Sequence, residues 1–243
     1  MNIGIITQAR INSTRLPAKI LKMCNGKPML DYHIERLQWS NLPIYIATST
    51  NPADQAIANY AQQHQLPFYC GSEDDVLSRF YGCATTHNLD IIVRVTSDCP
   101  LIDGMLVKQG VDYYLDLINE LQNTNVYLSN SLERTFPRGF DFEVFHFDML
   151  EQAYHQAIAP AQREHVTPYF YQNPQLFDLH CMMSDKDKSN YRITLDTPED
   201  LQMILTLIEQ YHADALSTDQ LITLLDDHPE IVAINAHIEQ KKL

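Results

Sequence analysis

Asn2-Ile-Gly-Ile-Ile-Thr-Gln-Ala-Arg-Ile-Asn-Ser-Thr-Arg-Leu-Pro-Ala-Lys19 is an apolar run that breaks into a cationic stretch. Asn2 to Gln8 reads as a buried strand, and Ala9 to Lys19 as the loop leaving its C-terminal end. In an open α/β sheet, ligands bind in the crevice beyond the C-terminal ends of the strands. Arg10, Arg15, Lys19, Lys22 and Lys27 all precede Asp31, the first acidic residue. Yet the 243-residue chain has 17 Lys and Arg against 31 Asp and Glu, a formal net charge of −14. Cations gathered at one strand end of an acidic protein point to a ligand with several negative charges, and a nucleoside triphosphate is the first candidate. A solvated basic turn is the alternative reading.

The length suits one large domain or one domain with a lobe. The acidic balance argues against nucleic acid as the main partner, because phosphate-backbone binding needs a basic face wider than one loop. No apolar run reaches the length of a spanning helix, and the first strand begins at once with no signal-peptide pattern before it, so no membrane attachment is expected. The five cysteines, Cys24, Cys70, Cys83, Cys99 and Cys181, are scattered, with no CxxC pair. They read as reduced thiols of a cytoplasmic protein. Cys99 adjoins a suspected site, but a small space-filler is the simpler reading than a nucleophile, since no nearby His is evident.

Beyond the basic loop the pattern alternates. A helix over Pro28 to Trp39, a strand at Pro43 to Thr48, a helix over Ala53 to His64, a strand at Pro67 to Cys70, a helix near Asp75 to Thr86 and a strand at Asp90 to Thr96 imply βαβ crossovers. The expected fold class is α/β, with a largely parallel sheet and helices on both faces. After a helix at Met105 to Leu121 come short strands at Asn125 to Asn130 and Asp141 to Phe147, then two helices and a strand near Leu176 to Met182. A last strand is expected at Tyr191 to Leu195, before a helical C-terminus. These elements divide one domain, 1–243, into a nucleotide-binding half (1–122), a substrate or dimerisation lobe placed over the sheet (123–185), and a closing strand with C-terminal helices (186–243).

The basic loop matches neither a Walker motif nor GxGxxG. No glycine lies between Gly4 and Gly26, so side chains must bind phosphate: Arg10, Arg15 and Lys19 as cations, with the Ser13 and Thr14 hydroxyls. In Arg94-Val-Thr-Ser-Asp-Cys-Pro100 a strand ends in Asp98, in the same crevice. A carboxylate there can hold Mg2+ against triphosphate oxygens, or it can simply start a turn. In Tyr191-Arg-Ile-Thr-Leu-Asp-Thr-Pro-Glu-Asp200 another strand runs into Asp196, where Asp196 or Thr197 can equally cap a helix opened by Pro198. Two aspartates ending two strands suit Mg2+, which takes one or two carboxylates plus phosphate and water. Arg163-Glu-His-Val-Thr-Pro-Tyr169, with Pro137-Arg-Gly-Phe-Asp-Phe-Glu143 before it, offers groups for an acidic or polyhydroxylated acceptor. For His165 a hydrogen-bonded structural role is the alternative.

Taken in order, Ile6 to Lys19, Gly26-Lys-Pro28, Gly71-Ser-Glu-Asp-Asp-Val-Leu-Ser-Arg79, Thr96-Ser-Asp-Cys-Pro100, Arg138-Gly-Phe-Asp-Phe-Glu-Val144, Arg163-Glu-His-Val-Thr167 and Leu195-Asp-Thr-Pro-Glu-Asp-Leu201 resemble the cytidylyltransferase superfamily. The likeness is to the acylneuraminate and 3-deoxy-manno-octulosonate type, and most of all to its spore-coat polysaccharide biosynthesis protein F group. The resemblance implies a glycosyltransferase-A-like nucleotidyltransferase fold, a mixed, mostly parallel sheet between helices with a small protruding lobe that often dimerises. It implies that Ala9, Arg10, Ser13, Arg15 and Lys19 hold the triphosphate of CTP, and that Asp98 and Asp196 hold Mg2+. Gly71, Ser72 and Arg79 fall where the family approaches base and ribose, and Arg138, Glu164 and His165 where a second substrate is expected. Ile11-Asn12 replaces the Gly-Gly of typical sialic-acid enzymes, and Ser-Asp-Cys-Pro is likewise distinctive, so the acceptor does not transfer by analogy.

The implied reaction is attack by an acceptor oxygen of an acidic sugar on the α-phosphorus of CTP with release of pyrophosphate, in surface polysaccharide or glycoconjugate synthesis. Arg15, Lys19, Asp98 and Asp196 would be its catalytic groups, in a homodimer. Three alternatives remain: a glycosyltransferase of the same fold using a nucleotide-sugar donor, a nucleotide-binding regulator without turnover, and a cytidylyltransferase acting on a phosphate or phosphonate. The first normally carries a DxD motif, which Asp98-Cys-Pro-Leu does not match.

Overall fold

The opening apolar run forms strand β1, Ile3–Gln8. In the computed structural model, which describes residues 1–240, it lies inside a seven-stranded sheet. The basic loop leads through a single 3-10 turn, Lys19–Leu21, into the small antiparallel hairpin β2, Met23–Cys24, and β3, Lys27–Pro28. Then follow α1 (Met29–Leu37), β4 (Ile44–Ser49), α2 (Gln55–Gln63), β5 (Phe68–Gly71), α3 (Val76–Thr86), β6 (Ile91–Thr96) and α4 (Gly104–Leu121). The expected alternation of strands and helices is present, with ends shifted by a residue or two. Next come β7 (Val126–Ser129), β8 (Glu143–His146), α5 (Phe147–Gln156), α6 (Pro160–His165), α7 (Pro168–Tyr171) and β9 (Asp178–Cys181). Helices α8 (Pro198–Tyr211), α9 (Thr218–Asp227) and α10 (Pro229–Val232) close the described chain. Residues 241–243, the end of the expected C-terminal segment, lie outside the described residues.

The strand order is β5-β4-β1-β6-β8-β7-β9. Only β8 runs against the others, antiparallel to both β6 and β7; the remaining neighbours pair in parallel. From β1 the chain winds outward through β4 to β5 and then returns to β6 on the other side of β1. That reversal opens a crevice beyond the C-terminal ends of β1 and β6. The basic loop and Asp98 meet for this reason. Side chains alternate along the strands: Ile5, Ile91, Val93 and Val95 enter the core under α1, α4 and α8, whereas Ile6 and Ile92 enter the core under α3, α5 and α7.

Two expectations change. The segment 123–185 supplies β7, β8 and β9, so its strands extend the sheet rather than lie over it. Tyr191 to Leu195 is extended but joins no ladder; it makes a lone bridge between Arg192 and Arg138. Pro137 has no N–H to offer and Gly139 turns away at φ 114°, so Arg138 alone can pair. Arg138 donates to the Tyr191 carbonyl at 2.9 Å and accepts from the Ile193 amide at 2.7 Å. The Leu195 amide then donates to the carbonyl of Asp98 at 2.7 Å. Asp196 is thereby pulled to the end of β6. No described helix is long and apolar enough to cross a membrane.

Arg36, on α1, is a buried fastener. Its guanidinium donates to the carbonyls of Ile102 (2.7 Å), Asp214 (3.0 Å) and Leu216 (2.9 Å), and burial lowers its pKa to about 10. Arg36→Met leaves those carbonyls without a donor and is expected to cost about 1–3 kcal/mol in urea denaturation.

Candidate active site

A cleft of about 1130 Å³ opens at the C-terminal ends of β1 and β6. The basic loop forms one wall, with Ala9, Arg10, Ser13, Thr14, Arg15 and Lys19 all bordering the space. Without glycine, the loop keeps its shape through side chains and one left-handed residue. The Ile11 amide donates to the buried Asp54 carboxylate at 2.7 Å, the Ala18 amide to the Ile11 carbonyl at 3.1 Å, and Ala18 has φ 52°. Asn12 donates to Glu73 at 3.0 Å.

Lys19 is the centre of the cleft. Its ammonium lies 2.9 Å from Asp98 and 2.7 Å from Asp196, and Arg15 lies 3.2 Å from the other oxygen of Asp196. Burial alone would raise the pKa of Asp98, but the Lys19 charge and hydrogen bonds from Thr96 and Lys19 hold the carboxyl well below the usual range. For Lys19 burial works downward, and the two carboxylates more than offset it, leaving its pKa raised.

Each aspartate is positioned by groups behind it. Arg192 reaches Asp196 at 3.1 Å and Asp200 at 2.9 Å. Asp200 accepts from the Asp196 and Thr197 amides at 2.9 and 3.0 Å, and Thr197, not Asp196, caps α8. Asp196 is thus free of the capping role and turns to the cleft. Behind Asp98, the buried His33 ring bonds the Cys99 carbonyl through Nδ1 and the Thr7 hydroxyl through Nε2, each at 2.9 Å. A carbonyl only accepts, so Nδ1 carries the proton. Cys99 is buried, and desolvation and the neighbouring Asp98 push its thiol well above the ordinary range, which fits a space-filler.

Glu164, His165 and Arg79 also border the cleft. Gly71, Ser72 and Arg138 do not. Gly71 packs beside the Arg79 stem, where an added Cβ would come within 3.3 Å, and the Ser72 carbonyl accepts from Arg79 at 2.9 Å. These two residues therefore stand behind Arg79. Arg138 stands beside Arg192, tied by the backbone bridge. Sequence reasoning missed Arg94 and Gln8 on the cleft floor and the supporting pair Arg192 and Asp200. Arg94 had a visible signal, a cation inside the apolar run Ile91 to Val95. Its partner Glu143 arrives from the antiparallel β8, directly opposite in register.

Residues 3–222 match the family model described as cytidylyltransferase. The chain belongs to the cytidylyltransferase family. A solved cytidylyltransferase from Leptospira borgpetersenii serovar Hardjo-bovis is 32% identical with TM-score 0.89, each chain covering 100% of the other. An uncharacterized protein of Methanocaldococcus jannaschii is 37% identical over 98% of this chain and 96% of its own. The spore coat polysaccharide biosynthesis protein SpsF of Bacillus subtilis is 28% identical over 94% of this chain and 96% of its own. The cytidylyltransferase has the nucleotidyltransferase fold that its motif order implied, and it is a CTP-dependent nucleotidyltransferase.

The support of Asp98 is measurable by titration. Burial lowers the pKa of His33 from 6.5 to about 4. The unfolded imidazole takes up its proton first, so stability is complete above its unfolded value and falls with acid toward the folded one. That change amounts to about 2 kcal/mol between about pH 7 and pH 5. Urea midpoints are expected to show this slope in the wild type and its loss in His33→Gln.

Proposed function

We propose that the enzyme transfers CMP from CTP to a hydroxyl of an acidic sugar and releases pyrophosphate. The observation that carries this reading is the convergence of Asp98 and Asp196 on the Lys19 ammonium, beside the cationic loop and inside a cleft large enough for a nucleotide and a second substrate. A half-buried and a buried carboxylate facing a cationic wall suit a triphosphate brought in with a divalent ion. The membership in the cytidylyltransferase family supports cytosine, and the likeness to SpsF supports a glycan product.

The donor set fits Mg2+. Two carboxylates direct oxygens to one point, and among the described residues no group of three or more His, Cys, Asp or Glu side chains assembles into a metal cluster. Mg2+ is commonly held by one or two carboxylates together with phosphate oxygens and water, a protein share that this pair would supply. Asp98 and Asp196 would hold it, and when bound it neutralises phosphate charge and acidifies a coordinated hydroxyl.

The chain's own groups do the rest. Arg10 and Arg15 attract the triphosphate into the cleft, and the Ser13 and Thr14 hydroxyls add neutral hydrogen bonds. Lys19 and Arg15 face the charge that grows on the departing pyrophosphate. The aspartates already gather both cations at the cleft, beside the point proposed for the ion. Arg79 carries the pocket edge toward the base, while Glu164 and His165 stand where the acceptor approaches. Alignment of the two substrates supplies the remaining rate.

A pyrophosphate-release screen of four nucleoside triphosphates against a panel of acidic sugars and phosphorylated acceptors, with Mg2+, tests the reading. Release is expected with CTP and an acidic sugar; release that needs a different nucleotide or a phosphorylated acceptor overturns it. In the same assay Asp98→Asn is expected to lower turnover at least about 100-fold while circular dichroism and melting show an intact fold. Near-normal release by that variant removes Asp98 from the reaction.

A further inference from the structure

Two consecutive buried residues just after His165 hold conformations that their types disfavour. Val166 has φ 72° and ψ −60°, and the Thr167 amide donates to the His165 carbonyl at 2.9 Å. This is a γ-turn of the strained hand, placed on a β-branched residue. Thr167 follows at φ −94° and ψ −11°, in the α region immediately before Pro168, where the proline ring crowds it. Such geometry persists only where surrounding contacts over-determine it. Val166 is fully buried in the core under α3, α5 and α7, and its amide donates to the Gln162 carbonyl at 3.2 Å.

The other constraint is the Thr167 hydroxyl, which donates to Glu143 at 2.6 Å. The same carboxylate oxygen accepts from Tyr127 at 2.5 Å, and the second oxygen pairs with Arg94. Arg94 also donates to Gln8 at 3.2 Å, and both residues form the cleft floor. A continuous buried path therefore runs from the floor, through Glu143 and Thr167, to the turn that presents Glu164 and His165.

We propose that Thr167 and Glu143 are positioning residues that fix the Glu164–His165 wall to the cleft floor and so set acceptor binding without affecting CTP binding. The part concerning the acceptor rests on the proposed function above. Thr167 touches no reacting atom in this account; it acts by keeping the γ-turn closed. Tyr127 shares the carboxylate and also meets the Thr167 side chain and the Phe170 ring, so it belongs to the same network.

The test uses the full chain in two variants, Thr167→Val and Thr167→Ser. The first readout is the imidazole carbon-proton NMR signal of His165 in the ligand-free protein, assigned by its loss in His165→Gln. Thr167→Val is expected to displace it and Thr167→Ser to restore it, while CTP affinity stays within about twofold in both. The second readout, with an acidic sugar that supports pyrophosphate release, is a rise of about tenfold or more in KM for that sugar in Thr167→Val and no change in KM for CTP. An unmoved His165 signal in Thr167→Val, or an equal loss of CTP affinity, overturns the proposal. Should Thr167→Val not fold, Thr167→Ala gives the same comparison. If the wild type turns over no acidic sugar, the proposed function fails, and the His165 signal alone decides this proposal.

Discussion

The Lys19 ammonium, shared between Asp98 and Asp196, is the interaction on which the cleft depends. Removing Lys19 leaves the Asp98 carboxylate without its cation, the costly situation for ions inside a protein, whereas Asp196 keeps Arg15 and Arg192. The three residues come from distant parts of the chain: the loop after β1, the turn after β6, and the extended segment before α8. Their meeting therefore ties the N-terminal strand, the sheet's reversal point and the C-terminal helices to one place. The two carboxylates also fix where the Lys19 ammonium points within the cleft.

Much of the surrounding structure keeps those groups oriented. His33, Arg192 and Asp200 do not need to meet a ligand to matter. His33 bonds the Cys99 carbonyl and so holds the turn carrying Asp98. Arg192 spans Asp196 and Asp200, while Asn235 donates to the Arg192 carbonyl at 3.0 Å and to Asp200 at 2.8 Å. A second buried network joins Glu143 to Arg94, Tyr127 and Thr167 across the cleft floor. Both networks are satisfied mainly by charge-assisted hydrogen bonds, which are short, directional and strong enough to hold polar groups away from water.

The fold was largely legible because each early element carries its own local signal. The apolar runs of β1, β4 and β6, the helical spacing between them and the absence of tight-turn glycines in the basic loop all lie within short windows. The closing strand was not legible as such, because Tyr191 to Leu195 has strand composition but its neighbour, interrupted at Pro137 and Gly139, offers only Arg138. The placement of β7, β8 and β9 in the main sheet was hidden for a related reason: short strands do not reveal whether they extend a sheet or cover it. Among site residues, Arg10, Arg15, Lys19, Asp98 and Asp196 were readable from charge and strand-end position. Gly71 and Ser72 were matched by motif, but they stand behind Arg79 rather than in the cleft wall.

By itself the sequence determined that a cationic, glycine-free loop leaves the first strand, that parallel βαβ units follow, and that two strand-like segments run into aspartates. These are properties of neighbouring residues, and local sterics and periodicity are sufficient to express them. Only the tertiary structure decided that both aspartates converge on one ammonium, that Thr197 relieves Asp196 of capping α8, and that Glu143 opposite Arg94 links the cleft floor to the turn after His165. The ion pairs among them depend on strand order and register, which bring together groups between 49 and 177 positions apart. No local window of sequence contains that information.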